Sequence, residues 1–347
     1  MAALPGRHQE TRQPGKAAAR VASRSAAVVV LLLGLLAAGG LAGCCPPPPK
    51  VTVSVDQLVG EYNANAAAVP RLWARAEIDL KLVGDNGTLR WGTRSGLLLL
   101  SKGGGRLGSH DFVLIGKEVA EEVFRLGNSL QDGVYYYWYS AGSHQGGMYG
   151  ATNLAGAPGT RGLPIDPLQL LSVLCICEVP DDFRTLPAVA MSLDDSDPCR
   201  RAYVLTYIDR QAVSERIGFR RKVHFHWDDR KPRRPFRIEF LDPAGRVVMT
   251  AKLADYRPIE LPAGLAPRGA GGQDADDRPD DPPVMPTRIE IVFPDSGSRL
   301  RLRLSEMTTE QKFLPAVFRF WDRLSPGFDR STLEPADPYT PKGDAAR

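Results

Sequence analysis

From Leu72 to Leu82 the even positions read Leu, Ala, Ala, Ile, Leu, Leu, while the odd positions from Arg71 to Lys81 read Arg, Trp, Arg, Glu, Asp, Lys. Successive side chains of a strand point to opposite sides, so this alternation over about eleven residues predicts a long strand with one apolar face. Gly84-Asp-Asn-Gly87 supplies a turn and Thr88–Leu100 returns as the second strand. Further strands are expected at Arg106–Ile115, Ala120–Leu126, Val134–Tyr139, 201–208, 216–227, 236–241, 246–255, 287–293 and 299–304. Helical signals are fewer. Ser54-Val-Asp-Gln57 has the capping-box spacing, and Leu58, Tyr62, Ala66 and Val69 follow at helical intervals until Pro70. That predicts an amphipathic helix over 55–68. Asp166-Pro167 opens a second helix with Leu168, Leu171 and Leu174 as its stripe, and Phe313, Val317, Phe320 and Trp321 suggest a short last one.

Ten or eleven long antiparallel strands with three helices define a mainly β, α+β chain. Such a sheet must hide one apolar face, and with so few helices it is expected to curve around them. The inward-facing candidates are Leu72, Ile78, Leu80, Leu82, Leu98, Leu100, Phe112, Leu114, Phe225 and Trp227. Each could equally be ordinary packed core, the commoner fate of an apolar strand residue. Residues 257–286 turn to Pro, Gly and Asp, with Asp274-Ala-Asp-Asp277 and Asp280-Asp-Pro-Pro283, and read as an acidic loop insertion at about 263–285. From Ser325 on there is no periodicity, so 323–347 is expected to be an irregular tail around a domain of 54–322.

The first 43 residues follow a different rule. Arg7, Arg12, Lys16, Arg20 and Arg24 precede an uncharged run from Ala26 to Ala38, then Leu41-Ala42-Gly43-Cys44. A basic stretch, a short apolar core and a small-residue cleavage site are the parts of a secretory signal. The core is shorter than the ~20 residues that span a bilayer. Leu-Ala-Gly-Cys resembles the lipobox of bacterial lipoproteins. The resemblance implies cleavage after residue 43, a covalent N-acyl diacylglycerol on Cys44, and a membrane anchor strong enough to hold. No other cofactor is implied. Pro46 to Pro49 extend a stiff spacer within a tether of residues 44–53. Cys45 stands where sorted bacterial lipoproteins retained at the inner membrane tend to have Asp, which points to the periplasmic face of the outer membrane.

Removing the signal changes the charge. The whole chain carries 44 basic and 40 acidic residues, of which the first 43 positions hold five and one, so the remainder balances at 39 against 39. A balanced chain gives no support for a nucleic-acid partner. Five cysteines are present, at 44, 45, 175, 177 and 199. Export favours a disulfide between Cys199 and either Cys175 or Cys177. Metal binding by Cys-Ile-Cys lacks a second ligand pair at suitable spacing.

The order of elements resembles the LolA/LolB lipoprotein-carrier superfamily over roughly 54–322. The likeness is carried by the N-terminal helix running into Leu72–Leu82, by Gly133-Val-Tyr-Tyr-Tyr-Trp138, by Arg237-Ile-Glu-Phe-Leu-Asp-Pro-Ala-Gly-Arg-Val-Val248 with Asp255-Tyr256, and by Pro286-Thr-Arg-Ile-Glu-Ile-Val-Phe293. It implies an unclosed half-barrel, helices over its apolar concave face, and acyl chains of a lipid or of another lipoprotein as ligand. Length, the acidic insertion and the Cys175–Cys199 region depart from that pattern.

Other candidate chemistry is weak. His224 and His226 share a strand face with Arg220 and Lys222, so both are expected in solvent beside like charge, a poor cation site. His110-Asp111 has no Gly-x-Ser-x-Gly partner. Gly103-Gly-Gly105 lacks the lysine and helix of a phosphate loop, and Asp194-Asp-Ser-Asp197 lacks calcium-loop spacing. Tyr135 to Tyr139 reads as a mixed core-and-surface strand, and Arg230-Lys-Pro-Arg-Arg234 as a solvated hairpin loop. The sequence therefore predicts a monomeric, membrane-anchored non-enzyme that binds acyl chains and takes part in lipid or lipoprotein transport. The alternative is a structural or assembly lipoprotein with a self-filled core, meeting a periplasmic protein partner through the acidic insertion and the aromatic strand.

Overall fold

A computed structural model describes residues 52–84, 87–102, 110–119, 121–141, 144–152, 167–197, 201–210, 217–228, 233–242, 244–262, 282–311, 313–324 and 328–336. The signal segment, Cys44, Cys45, Cys199 and most of the acidic insertion lie outside them. Residues Pro48–Arg347 form one compact unit.

Helix α1 is Val55–Ala67; the Ser54 side chain accepts from the Gln57 N–H, as the capping spacing predicts, and Leu58, Val59, Tyr62 and Ala66 are buried. Strands follow at β1 (Arg71–Gly84), β2 (Gly87–Lys102), β3 (His110–Glu118), β4 (Glu121–Ser129), β5 (Val134–Ala141) and β6 (His144–Ala151). Helix α2 is Pro167–Val173. Then come β7 (Ala188–Asp194), β8 (Ala202–Arg210), β9 (Ile217–His226), β10 (Pro235–Leu241), β11 (Val247–Pro258), β12 (Val284–Phe293), β13 (Ser298–Thr308) and β14 (Leu333–Pro335).

These fourteen strands make one sheet in the order β14-β6-β5-β4-β3-β2-β1-β13-β12-β11-β10-β9-β8-β7. β14 and β7 do not pair with each other, so the curved sheet is open. Pairing is antiparallel throughout except β14 with β6, which is parallel. β1 sits at the centre because β13 returns beside it, pairing Ile78 with Leu302 and Leu80 with Leu300. Register shifts at Trp73/Arg75 on one side of β1 and Ala76/Ile78 on the other bend the middle of the sheet.

Burial in β1 alternates as the sequence predicts, with Leu72, Ala74, Ala76, Ile78 and Leu80 buried. The inner face of β1–β5 and β8–β13 joins α1 and residues 170–179 in one large core. The chain is mainly β with few helices. The sheet, however, has fourteen strands among the described residues, three more than the pattern predicts. β6, β7 and β14 are the additions.

The outer face is not uniformly polar. The chain after β13 runs back across β3–β6, and two further apolar clusters form beneath it. Tyr136, Trp138 and Tyr149 pack with Phe320, Phe328 and Leu333. Leu99, Val113 and Ile115 pack with Phe318. The predicted last helix is instead two 3-10 turns, Pro315–Phe318 and Trp321–Arg323. Between them Arg319 is extended, which lets Phe318 and Phe320 both face the sheet. The segment expected to be an irregular tail carries β14, so the domain runs to at least residue 336.

Close approach shapes this end. A Cβ at Gly127 would stand 2.5 Å from the Phe112 carbonyl oxygen and 2.9 Å from the Tyr136 hydroxyl oxygen. That hydroxyl donates to the Phe318 carbonyl at 3.0 Å, so it cannot retreat freely. Gly127→Ala is expected to destabilise by about 1–3 kcal/mol in denaturant unfolding, the usual cost of overpacking. An unchanged midpoint would refute that packing.

Candidate functional site

The inner face gathers the residues singled out from sequence. Leu72, Ile78, Leu80, Leu98, Leu100, Phe112, Leu114 and Phe225 are all buried, none more than 3% exposed. Leu82 and Trp227 are half-buried against the same cluster. Side chains this enclosed touch one another and the helices, not a void that admits water. The structure thus brings all ten residues into one apolar body.

Contact with α1 closes that body. Tyr62 meets Phe225 edge-on, ring centroids 6.1 Å apart. Around this apolar contact lies a ring of polar attachments that the alternation did not disclose. The Asn63 amide donates to the Val179 carbonyl at 2.8 Å and accepts from the Val179 N–H at 2.8 Å. Asn65 does the same to Val284, at 2.9 and 2.8 Å. Each asparagine therefore stands in for a neighbouring strand, satisfying backbone groups that burial would otherwise strand.

Glu61 pairs with Arg233 at 2.8 Å. Lys102 donates to the Ala66 carbonyl in the last turn of α1, where a cation suits the helix dipole. Burial pulls the Lys102 pKa down from its ordinary value, and Glu178 at 4.0 Å opposes that shift.

The last two residues of the basic run, Arg233 and Arg234, depart from the solvated loop the sequence suggested. Arg233 is buried on α1, and the Arg234 guanidinium lies 5.6 Å from the Tyr256 ring centroid. An acidic residue on the helix and an aromatic ring on β11 outcompete water for these two side chains. Residues 229–232 lie outside the described chain.

Beneath α1 sits a buried sulfur–phenol group. The Tyr256 hydroxyl donates to the Pro235 carbonyl at 2.6 Å and stands 3.6 Å from Cys175 Sγ. Burial pushes both Cys175 and Cys177 up to about 12 and holds Tyr62 and Tyr256 well above the ordinary phenol value. Both thiols stay protonated near neutral pH and act as small apolar side chains, without thiolate reactivity. Cys175 and Cys177 are free, so no disulfide joins the described cysteines. Cys175 has φ 58°, a left-handed turn that follows α2 as residues 175–179 pass toward α1.

His224 corrects a second expectation. It is buried, and its Nε2 lies 3.3 Å from Glu239 Oε2, while Arg237 holds the other carboxylate oxygen. The carboxylate on the adjacent strand, invisible to an alternation argument along β9, and the Phe236 ring beside it keep His224 from solvent on the face opposite Val223 and Phe225. Among the described residues no three metal-ligating side chains gather.

The His224 hydrogen bond, with the Arg237 charge, holds the Glu239 carboxyl below the usual carboxylate range, although burial opposes this. A carboxyl with a depressed folded-state pKa lends stability above its unfolded pKa and loses it as pH falls through the folded value. Melting temperature should therefore fall on acidification below about pH 4.5, and Glu239→Gln should flatten that dependence relative to the parent. Parallel pH profiles would refute the assignment.

Tyr135 to Tyr139 is buried on both faces for most of its length. Tyr136 and Trp138 face outward under the C-terminal segment, while Tyr135 and Tyr137 are buried or half-buried on the other side. His110 is buried at the start of β3, and Asp111 accepts from the Leu130 N–H at 2.8 Å.

An open antiparallel sheet whose apolar inner face is packed under a helix held by polar clamps is the class of protein these contacts define. No protein-family model matches the chain, and neither does any curated protein sequence. Solved structures similar to it include a DUF1329 family protein from Desulfovibrio piger, with 11% identity, 77% of this chain and 98% of that one covered, and TM-score 0.42. An outer membrane lipoprotein-sorting protein domain from Vibrio parahaemolyticus shares 11% identity over 75% of this chain and 95% of that one, with TM-score 0.41. A LolA superfamily protein from Nitrosomonas europaea shares 16% identity over 79% and 100%, with TM-score 0.40.

Proposed function

We propose that the chain is a lipid-anchored, non-enzymatic binding protein of the periplasmic face of the outer membrane. Its guest is an acyl chain, of a lipid or of another lipoprotein, taken up between α1 and the apolar face of the sheet. One observation carries the reading: beyond the apolar packing of Leu58, Val59, Tyr62 and Ala66, α1 is held by side-chain clamps at Val179, Val284, Arg233 and Lys102, and not through strand pairing. A helix so attached can leave as a unit, hinged at Ala68–Pro70. Its departure would uncover Leu72, Leu100 and Phe225 without breaking the sheet. Acyl chains would replace the apolar contacts at about 0.8 kcal/mol per buried CH₂, offsetting the lost clamps. In this reading the closed, filled state is the empty form, and transport of lipid or lipoprotein toward the outer membrane is its use.

The near-zero exposure of the inner residues favours a second reading, a structural lipoprotein whose core is filled by its own side chains and whose surface meets a protein partner. Native mass spectrometry of residues 48–347, purified from a bacterial periplasm, separates the two. Co-purifying phospholipid or lipopeptide near one per chain supports acyl binding. A bare mass that persists after incubation with fatty acid supports the structural reading.

A further inference from the structure

The outer face of β1, β2 and β11–β13 carries a charge ladder with several acid–base pairs, among them Arg303 with Glu77 and Arg288 with Asp255, and one row that is cationic throughout. Register places Lys81 opposite Arg90 on one side and opposite Arg299 on the other. Three cations thus stand side by side across three strands, an arrangement that is unfavourable unless an anion joins them. Among the described residues none of the three has an ion-pair partner.

The neighbouring row explains why. Asp79 and Glu290, the two carboxylates of the same depression, both turn to Arg301, at 3.8 and 2.9 Å. Glu77 is likewise engaged by Arg303 at 3.5 Å. Lys252, opposite Glu290, adds a fourth cation to the rim. The result is an open depression of about 540 Å³ beside the β1–β2 and β12–β13 hairpin turns, lined by four cations, Lys81, Arg90, Lys252 and Arg299, against two carboxylates that already share Arg301.

We propose that this row is a docking site for the phosphates of an anionic lipid surface. Two strand spacings of about 4.8 Å spread the cations over roughly 10 Å, wider than a single phosphate group can bridge. Several phosphates displayed side by side match that spacing. Hairpin tips can reach such a plane without burying apolar residues. The site lies on the face opposite the acyl-binding reading and does not depend on it.

The test is co-sedimentation of residues 48–347, which lack the lipidated cysteine, with vesicles. Neutral phosphatidylcholine vesicles are compared with vesicles in which about a third of the lipid is phosphatidylglycerol. The parent is expected to bind the anionic vesicles only, and less as salt rises. Lys81→Gln, Arg90→Gln and Arg299→Gln should each weaken binding about fivefold, and the triple variant about a hundredfold. Arg184→Gln, an exposed cation on another segment, should leave binding unchanged. Equal binding by the triple variant, or equal binding to neutral vesicles, overturns the proposal. Displacement from anionic vesicles by inorganic phosphate at concentrations stoichiometric with the protein also overturns it, by assigning the row to a free anion. Circular dichroism and melting of the triple variant, unchanged or slightly raised, exclude misfolding as the cause of lost binding.

Discussion

Ending the chain before Phe313 is expected to abolish cooperative folding. The removed segment contributes Phe318, Phe320, Phe328 and Leu333 to two outer clusters, all of them buried. Phe320 stacks on Tyr136 at 4.7 Å and lies 5.6 Å from Tyr149, while Phe328 meets Trp138 at 5.6 Å. Burying each such side chain contributes roughly 1.5–3 kcal/mol, and losing one aromatic ring alone costs about 3–5 kcal/mol.

Truncation also strips Arg125. Its guanidinium is fully buried, paired to Glu122 at 2.7 Å and donating to the Val317 carbonyl. Without Val317 part of that charge has no partner. Breaking a buried charged group in this way costs several kcal/mol more. Since whole domains are stable by about 5–15 kcal/mol, the shortened chain should be molten or aggregated. Phe320→Ala, a milder probe, should lower the melting temperature by about 10 °C or more. A truncated chain that melts cooperatively within about 2 °C of the parent would contradict this account of the outer face.

The same segment shows where the sequence pattern runs short. Its aromatic residues suggest a helix because Phe313, Val317 and Phe320 fall at helical spacing. The buried pair is in fact Phe318 and Phe320, two apart, as an extended chain requires. β6 escapes the pattern for a different reason. Its Gly146 and Gly150 erase the alternation that marks a strand. The missing side chains are supplied across the ladder, where the rings of Tyr139 and Tyr135 lie over those two glycines. β14 is three residues long and pairs in parallel with a strand far back in the chain, so no local pattern announces it.

By contrast β1, with both neighbours long and one face wholly apolar, is legible nearly residue by residue. The inner-face residues are legible too, because alternation alone assigns them. The clamps are not. Asn63 and Asn65 leave one local signal, two poor helix formers in the second half of a short helix. Their partners at Val179 and Val284 lie more than a hundred residues away, and only the folded chain shows them.

Those two asparagines carry the second large expectation. Asn63→Ala with Asn65→Ala removes four hydrogen bonds to backbone groups of Val179 and Val284, both of them buried residues. At about 0.5–1.5 kcal/mol each the attachment of α1 should weaken by roughly 2–6 kcal/mol, with the abandoned N–H and carbonyl groups adding to the upper end. The loss should be local. Amide exchange should quicken in Leu58–Ala67 while the β1–β13 and β1–β2 ladders keep their protection, since the sheet does not depend on the clamps. Uniform acceleration across helix and sheet would mean that α1 is part of the cooperative core and cannot move alone.

The most direct test of the central claim is the rate at which residues 48–347 take up a fluorescent long-chain fatty acid, measured by stopped flow for the parent and for the Asn63→Ala, Asn65→Ala variant. A binding face beneath a helix held by polar clamps predicts saturation near one per chain in both, with uptake at least about tenfold faster in the variant because the helix opens more often. If neither protein takes up the probe, although the variant's α1 exchanges freely, the inner face is a core filled by its own side chains and acyl binding is contradicted.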